Sequence, residues 1–250
     1  MVIFSRNKKR IGQKKQSFAW LLTDTPDIQA KGIGVLKYYC GLLKPHEVNE
    51  FDIKTYYYVT ETESAEAKNK LLDHGIDLKK KLVCIHPGAS EPHKIWLPEY
   101  FAASAEYISE NLSAEVIICY NSYDRDIVEE ILQFAKNKIS AIKLDTIRQL
   151  GAVLSLSDLC LVNNSGPRHL AAAIGLKSIS LFQKHDNGEW KIYDDPNSIV
   201  IESEKDCLHC REGRCRSLIP EERKFGSHCM ADIKPDIVIN KIKDILQKNS

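Results

Sequence analysis

Between residues 82 and 182, short β-rich runs alternate with longer amphipathic ones, and nothing else in the chain restricts its fold so much. A strand, a helix and a second strand running the same way need a crossover. Crossovers within one sheet are right-handed, which gives a parallel sheet covered by helices. Residues 82–86, 115–119, 141–144, 159–162 and 178–182 read as strands, and 97–112, 124–136, 146–156 and 167–174 as the helices between them. Pro98 stands in the first turn of the first helix, where its missing N–H costs nothing. The expectation is an α/β fold with a doubly wound parallel sheet, which binds ligands beyond the carboxyl ends of its strands. The loops after His86, Cys119, Leu144, Val162 and Phe182 are therefore the places to look for a site.

The flanks are less regular. Residues 18–22 and 54–59 read as strands, 34–43 and 65–74 as helices, with Gly75 as the stop of the second, and 233–247 as a last amphipathic helix. This divides the chain into a partial α/β piece over 1–80 and a complete ligand-binding domain over 81–250. A chain of 250 residues with 43% hydrophobic content can bury a core of that size. Its net charge of +1 supplies no general field for nucleic acid. Charge is concentrated at the start, where Arg6, Lys8, Lys9, Arg10, Lys14 and Lys15 occur with no acidic residue among the first fifteen. That stretch fits either a solvated terminus or a peripheral contact with an anionic membrane surface. No run approaches the roughly 20 apolar residues of a membrane span, and the start does not resemble a signal peptide, so a cytoplasmic protein is expected. Cys40, Cys84, Cys119 and Cys160 lie in apolar stretches where a thiol packs as a small hydrophobe.

The chemistry concentrates in Asn163-Asn164-Ser165-Gly166-Pro167-Arg168-His169, between a strand and a helix. Ser165 or Asn164 can cap that helix, Gly166 permits close backbone approach, and Pro167 pre-sets φ. The first-turn N–H groups and the helix dipole suit a phosphate, and His169 lies within reach of the same anion or of a ribose. The loop after the first strand, His86-Pro87-Gly88-Ala89 through Lys94-Ile95-Trp96, opens at the same sheet edge. Gly88 and Ala89 offer backbone N–H groups and Lys94 a mobile charge. Trp96 reads as packing for the next helix. Asp124, after the second strand, suits either a pair of ribose hydroxyls or a helix N-cap.

A strand ending in His-Pro-Gly-Ala, then Lys-x-Trp-x-Pro-Glu-x-Phe, then Ser-Gly-Pro-x-His-Leu-Ala-Ala-Ala-x-Gly, resembles the C-terminal domain of family 9 glycosyltransferases, which include the lipopolysaccharide heptosyltransferases. The resemblance runs over about residues 10–245. It implies the Rossmann-like donor half of a GT-B fold, and an inverting transferase that moves a sugar, heptose in many relatives, from an ADP-sugar to a lipid-linked saccharide of the lipopolysaccharide core without a cofactor. Carried over by position, Gly88, Ala89 and Lys94 meet the diphosphate, Ser165, Gly166 and His169 the diphosphate and sugar, and Asp124 the ribose. The family most often has Asp where this chain has Asn164, a neutral amide facing the donor sugar. The resemblance also places the general base in a Gly-Asp loop of the N-terminal domain that has no counterpart in these residues. Donor binding without transfer is the expectation for this chain alone.

Cys207, Cys210, Cys215 and Cys229 form a second cluster with one two-residue knuckle, with His209 and His228 as alternative ligands. Four thiolates suit a structural zinc, and free thiols or disulfides suit the same spacing. Similar cysteines occur in family 9 relatives. No thiolate is paired with a base, and the cluster stands outside the loops that follow the strands, so no catalytic part is expected of it.

Overall fold

The computed structural model describes residues 7–14, 17–28, 34–48, 50–51, 53–184, 195–205 and 224–247. They fall into two compact units, one of Met1–Thr55 with Asn187–Tyr193 and one of Tyr56–Asp186 with Asp194–Ser250.

The smaller unit holds helix α1 (Val35–Gly41) and a parallel bridge between Ile11 and Asp24. Arg10 is tied down there, its guanidinium donating to the Leu21 carbonyl at 2.7 Å and the Asn7 carbonyl at 2.9 Å. Residues 18–22 are not a strand. Phe18 sits at φ 68° and Ala19–Leu21 is a single 3-10 turn, a local reversal that leaves no extended edge to pair.

The larger unit is built on six parallel strands, β1 (Leu82–His86), β2 (Glu115–Tyr120), β3 (Ser140–Lys143), β4 (Leu159–Asn163), β5 (Ser178–Phe182) and β6 (Ser198–Glu202), in the order β3-β2-β1-β4-β5-β6. Helices α3 (Pro98–Asn111), α4 (Arg125–Phe134) and, after the short α7 (His228–Asp232), α8 (Pro235–Gln247) cover one face through Phe101, Ile108, Ile127, Ile131, Val238 and Ile242. Helices α2 (Glu61–Asp73), α5 (Ile147–Ser155) and α6 (Gly166–Ile174) cover the other, where Leu71, Val153 and Ala171 pack on Leu82, Ile117 and Val162. Cys84, Cys119 and Cys160 are fully buried on that second face and pack as hydrophobes, as expected.

Three further differences from the sequence reading have physical causes. The sheet has a sixth strand, β6, whose half-exposed edge position needs only the apolar run Ile199–Ile201, too short to stand out. Residues 54–59 form no strand and pair with none. Instead the Tyr57 N–H donates to the Ala173 carbonyl at 3.0 Å, and the Tyr57 hydroxyl donates to the Ile147 carbonyl at 3.2 Å. Its ring fills the notch at Gly151, where a Cβ would lie 2.4 Å from a ring carbon. Finally α2 belongs to the sheet unit, so the division between units falls after Thr55, whereas the sequence reading placed it after residue 80. A capping box between Thr60 and Glu63 starts α2, and Ala67 and Leu71 bury its inner face. Arg148 of α5 forms a bidentate pair with Glu63 and pulls that carboxyl down to about 2.

Candidate functional site

In this strand order the chain leaves β1 toward β2 and leaves β4 toward β5, in opposite directions. The crevice between their carboxyl ends is the switch point at which doubly wound sheets bind ligands. Asn163, the last residue of β4, is fully buried beneath it. Its side-chain carbonyl accepts the Trp96 N–H at 3.0 Å, and its amide donates to the Pro87 carbonyl at 2.6 Å. One side chain thus fastens both ends of the 87–96 loop to the neighbouring strand.

Gln183, following β5, holds the middle of the same loop. Its amide donates to the His93 carbonyl and to the Ser227 hydroxyl, both at 2.9 Å, while the Gly226 N–H donates to the Pro92 carbonyl at 3.1 Å. Trp96 is packing, as expected: its indole is fully buried, donates to the Ile233 carbonyl at 2.8 Å and stands edge-on to Tyr100 and Phe101. The half-buried Lys94 therefore rides on a pre-formed loop. Sequence reasoning missed the roles of Asn163 and Gln183. Their available signal was a carboxamide at or just past the carboxyl end of an otherwise buried apolar strand.

At the start of α6, Ser165 takes the cap position with an extended backbone, yet its hydroxyl makes no capping bond and turns back to the Asn163 carbonyl at 3.3 Å. The Ser165 side chain thus does not cap the first turn. Above it Gly166 is exposed, with nothing within 4 Å of where a Cβ would stand. That combination suits an anion. Asn164 is half-buried beside it, its N–H donating to the Leu181 carbonyl at 3.0 Å. Arg168 turns away and is buried with its guanidinium 5.0 Å from the centre of the Phe182 ring.

Burial, reinforced by the Arg168 guanidinium, lowers the His169 pKa to about 4, so its imidazole is neutral at pH 7 and acts as a hydrogen-bonding group. Between an unfolded value near 6.5 and the folded value of about 4, the unfolded chain binds the extra proton. His169 accordingly favours folding above that window, and the contribution is lost as pH falls through it. We expect the His169 ring resonances of the ligand-free protein to titrate near pH 4 by NMR; a midpoint above 6 would contradict the buried setting.

Asp124 closes the 3-10 turn Ser122–Asp124 after β2. Although it occupies the cap position of α4, its side chain makes no capping bond to that helix. The carboxylate instead accepts the Asn121 N–H at 3.4 Å and lies 3.7 Å from His86 Nε2. It also lies against Gly88, where a Cβ would come within 1.9 Å of Asp124 Oδ1. Asp124 thus takes the N-cap position that the sequence suggested without a side-chain bond to α4, and its carboxylate serves the turn before it. Ala89 is half-buried against the apolar cluster of the first face. The structure brings Gly88 and Asp124 into direct contact, fastens the loop bearing Ala89 and Lys94 to β4, and sets Asn164, Ser165, Gly166 and His169 at the same strand end.

Of the four clustered cysteines, Cys207, Cys210 and Cys215 lie outside the described residues, as does His209. Cys229 is buried in α7, its thiol 3.8 Å from the Lys205 carbonyl. No group of three or more His, Cys, Asp or Glu side chains able to hold a metal occurs among the described residues. Ser227, which caps α7, is bonded to Gln183, so the helix bearing Cys229 begins beside the loop after β5.

A family profile described as glycosyltransferase family 9 (heptosyltransferase) matches residues 1–218. Lipooligosaccharide heptosyltransferase 2 of Campylobacter jejuni serotype O:2 is 27% identical over 214 residues, 79% of this chain and 64% of that protein. Lipopolysaccharide core heptosyltransferase OpsX of Haemophilus influenzae is 30% identical over 180 residues, 70% of this chain and 51% of that protein. The chain thus spans less than two thirds of the length of both relatives. Among solved structures, a family 9 glycosyl transferase from Veillonella parvula superposes with a TM-score of 0.75 at 19% identity, covering 92% of this chain and 65% of that one. The ADP-heptose lipopolysaccharide heptosyltransferase II of Escherichia coli superposes with a TM-score of 0.69 at 16% identity, covering 92% and 67%. At these identities the superpositions establish the fold.

Proposed function

This chain belongs to glycosyltransferase family 9, and from that premise we propose that its switch-point crevice binds an ADP-sugar, ADP-heptose in particular, as donor for an inverting transfer to a lipid-linked saccharide of the lipopolysaccharide core. The observation that carries the reading is the double fastening of the Lys94 loop to β4 by Asn163, next to a helix start that the Ser165 side chain does not cap.

In the transfer an acceptor hydroxyl attacks the anomeric carbon, the bond from that carbon to the diphosphate oxygen breaks, and ADP departs with the electron pair. Charge grows on the diphosphate as this happens. Lys94 and the first turn of α6 stabilise it there, with the neutral His169 donating or accepting a hydrogen bond. Asp124 takes the ribose hydroxyls and the Asn164 amide faces the sugar. The acceptor's proton passes to a general base, which the family resemblance places in a Gly-Asp loop of the N-terminal domain. The step draws on no metal; a zinc on the cysteine segment would be structural. Lys8 and Lys14 would supply any contact with an anionic bilayer surface near the acceptor, while Lys9 meets His46 and Arg10 is engaged in its own turn.

Calorimetric titration of the chain with ADP tests the site. Lys94→Ala is expected to weaken binding by about 1–3 kcal/mol, the range for a charge-assisted hydrogen bond and roughly 5- to 150-fold. Equal affinity in the wild type and Lys94→Ala would remove Lys94 from the diphosphate.

A further inference from the structure

His86 ends β1 and is 6% exposed, directly behind Asp124. Its two ring nitrogens have different surroundings. Nδ1 is buried with no hydrogen-bond partner, whereas Nε2 faces the Asp124 carboxylate at 3.7 Å. A neutral imidazole carries one N–H and one bare lone pair, and a neighbouring carboxylate attracts the N–H and repels the lone pair. The bare lone pair therefore falls at Nδ1, and the N–H at Nε2 points to the carboxylate.

The second oxygen of Asp124 has different neighbours. Both protein donors approach Oδ2, namely Nε2 of His86 and the Asn121 N–H, whereas Oδ1 lies over the bare Cα of Gly88. The carboxylate is thus held from one side and leaves one oxygen for a ligand.

We propose that His86 is a positioning residue for donor binding: its Nε2–H orients Asp124 so that Oδ1 accepts the ribose hydroxyls of the nucleotide. The proposal rests on the assignment of Asp124 to the ribose. At 3.7 Å the contact in the ligand-free chain is longer than a hydrogen bond, and a small rotation of the carboxylate as it takes the ribose closes it. Burial holds the imidazole pKa below its ordinary value despite the neighbouring carboxylate, so the ring remains a neutral donor at pH 7.

Affinities for ADP and for 2′,3′-dideoxy-ADP, measured on the full chain, give a ratio that reports the ribose contact alone. Glutamine can place an amide N–H where Nε2 stands, and asparagine can reach only the position of Nδ1. His86→Gln is expected to keep the wild-type ratio within about twofold. His86→Asn is expected to shrink it about tenfold, one charged hydrogen bond, with dideoxy-ADP affinity unchanged in both. Equal ratios in all three proteins, or equal losses that extend to dideoxy-ADP, would overturn the role of His86. A wild-type protein that binds both nucleotides equally would instead overturn the ribose assignment on which the proposal stands. Should either variant fail to fold, nitrogen NMR of the wild-type ring decides: the Nε2–H tautomer supports the proposal and the Nδ1–H tautomer ends it.

Discussion

Asn163→Ala is expected to lower folding stability by roughly 2–6 kcal/mol, because it strips partners from two buried backbone groups at about 1–3 kcal/mol each. The groups are the Trp96 N–H and the Pro87 carbonyl, and the replacement can serve neither. Domains of this kind are stable by about 5–15 kcal/mol, so the loss is a large share of the total. Asn163→Asp tests the same geometry differently. It retains an acceptor for the Trp96 N–H but sets a carboxylate oxygen against the Pro87 carbonyl, and it should also destabilise. Urea unfolding of Asn163→Ala should show a lower midpoint at unchanged slope. A loss below about 1 kcal/mol would mean that the 87–96 loop is held chiefly by Trp96 and Gln183.

Gly88→Ala is expected to have the opposite profile, with little change in stability and a loss of about 2–4 kcal/mol in ADP affinity, at least roughly thirtyfold. The added methyl would stand 1.9 Å from Asp124 Oδ1 and 2.4 Å from its Cγ. Those atoms are the end of a rotatable side chain, half-buried at a loop, so the carboxylate can swing away without moving the backbone. Doing so gives up the Asn121 N–H, the approach to His86 and the position assigned to the ribose. Thermal melting and ADP titration of the same preparation separate the two quantities. A variant that binds ADP as the wild type does would show that Asp124 does not meet the nucleotide from this position.

What could be read in the sequence was whatever leaves a periodic or local mark. Strands β1, β2, β4 and β5 are largely apolar because both faces are covered, and Pro98, Pro167, Gly75 and Gly175 mark helix ends at the residues where the helices start and stop. The loops after β1 and β4 could be located because topology sends ligands to the strand ends. Long-range polar contacts left no such mark. That Asn163 reaches both Pro87 and Trp96, 76 and 67 residues away, depends on strand order, which spacing along the chain does not encode. The side-chain direction of Asp124 was equally hidden: an acidic residue before a helix looks the same whether it caps that helix or turns back on β1. Residues 54–59 misled for a related reason, since an aromatic, β-branched run satisfies strand preferences while its backbone bonds go to the end of α6.

The latch on the 87–96 loop comes from much later in the chain, with His93 held by Gln183 across 90 residues and Trp96 by Ile233 across 137. On the ribosome, the strand that begins the crevice is made long before the residues that hold its loop in place. Loop closure over such separations is slow compared with local helix formation. The nascent chain therefore passes through a stage in which Asn163 can already hold both ends of the loop while the Trp96 indole still lacks its partner at Ile233.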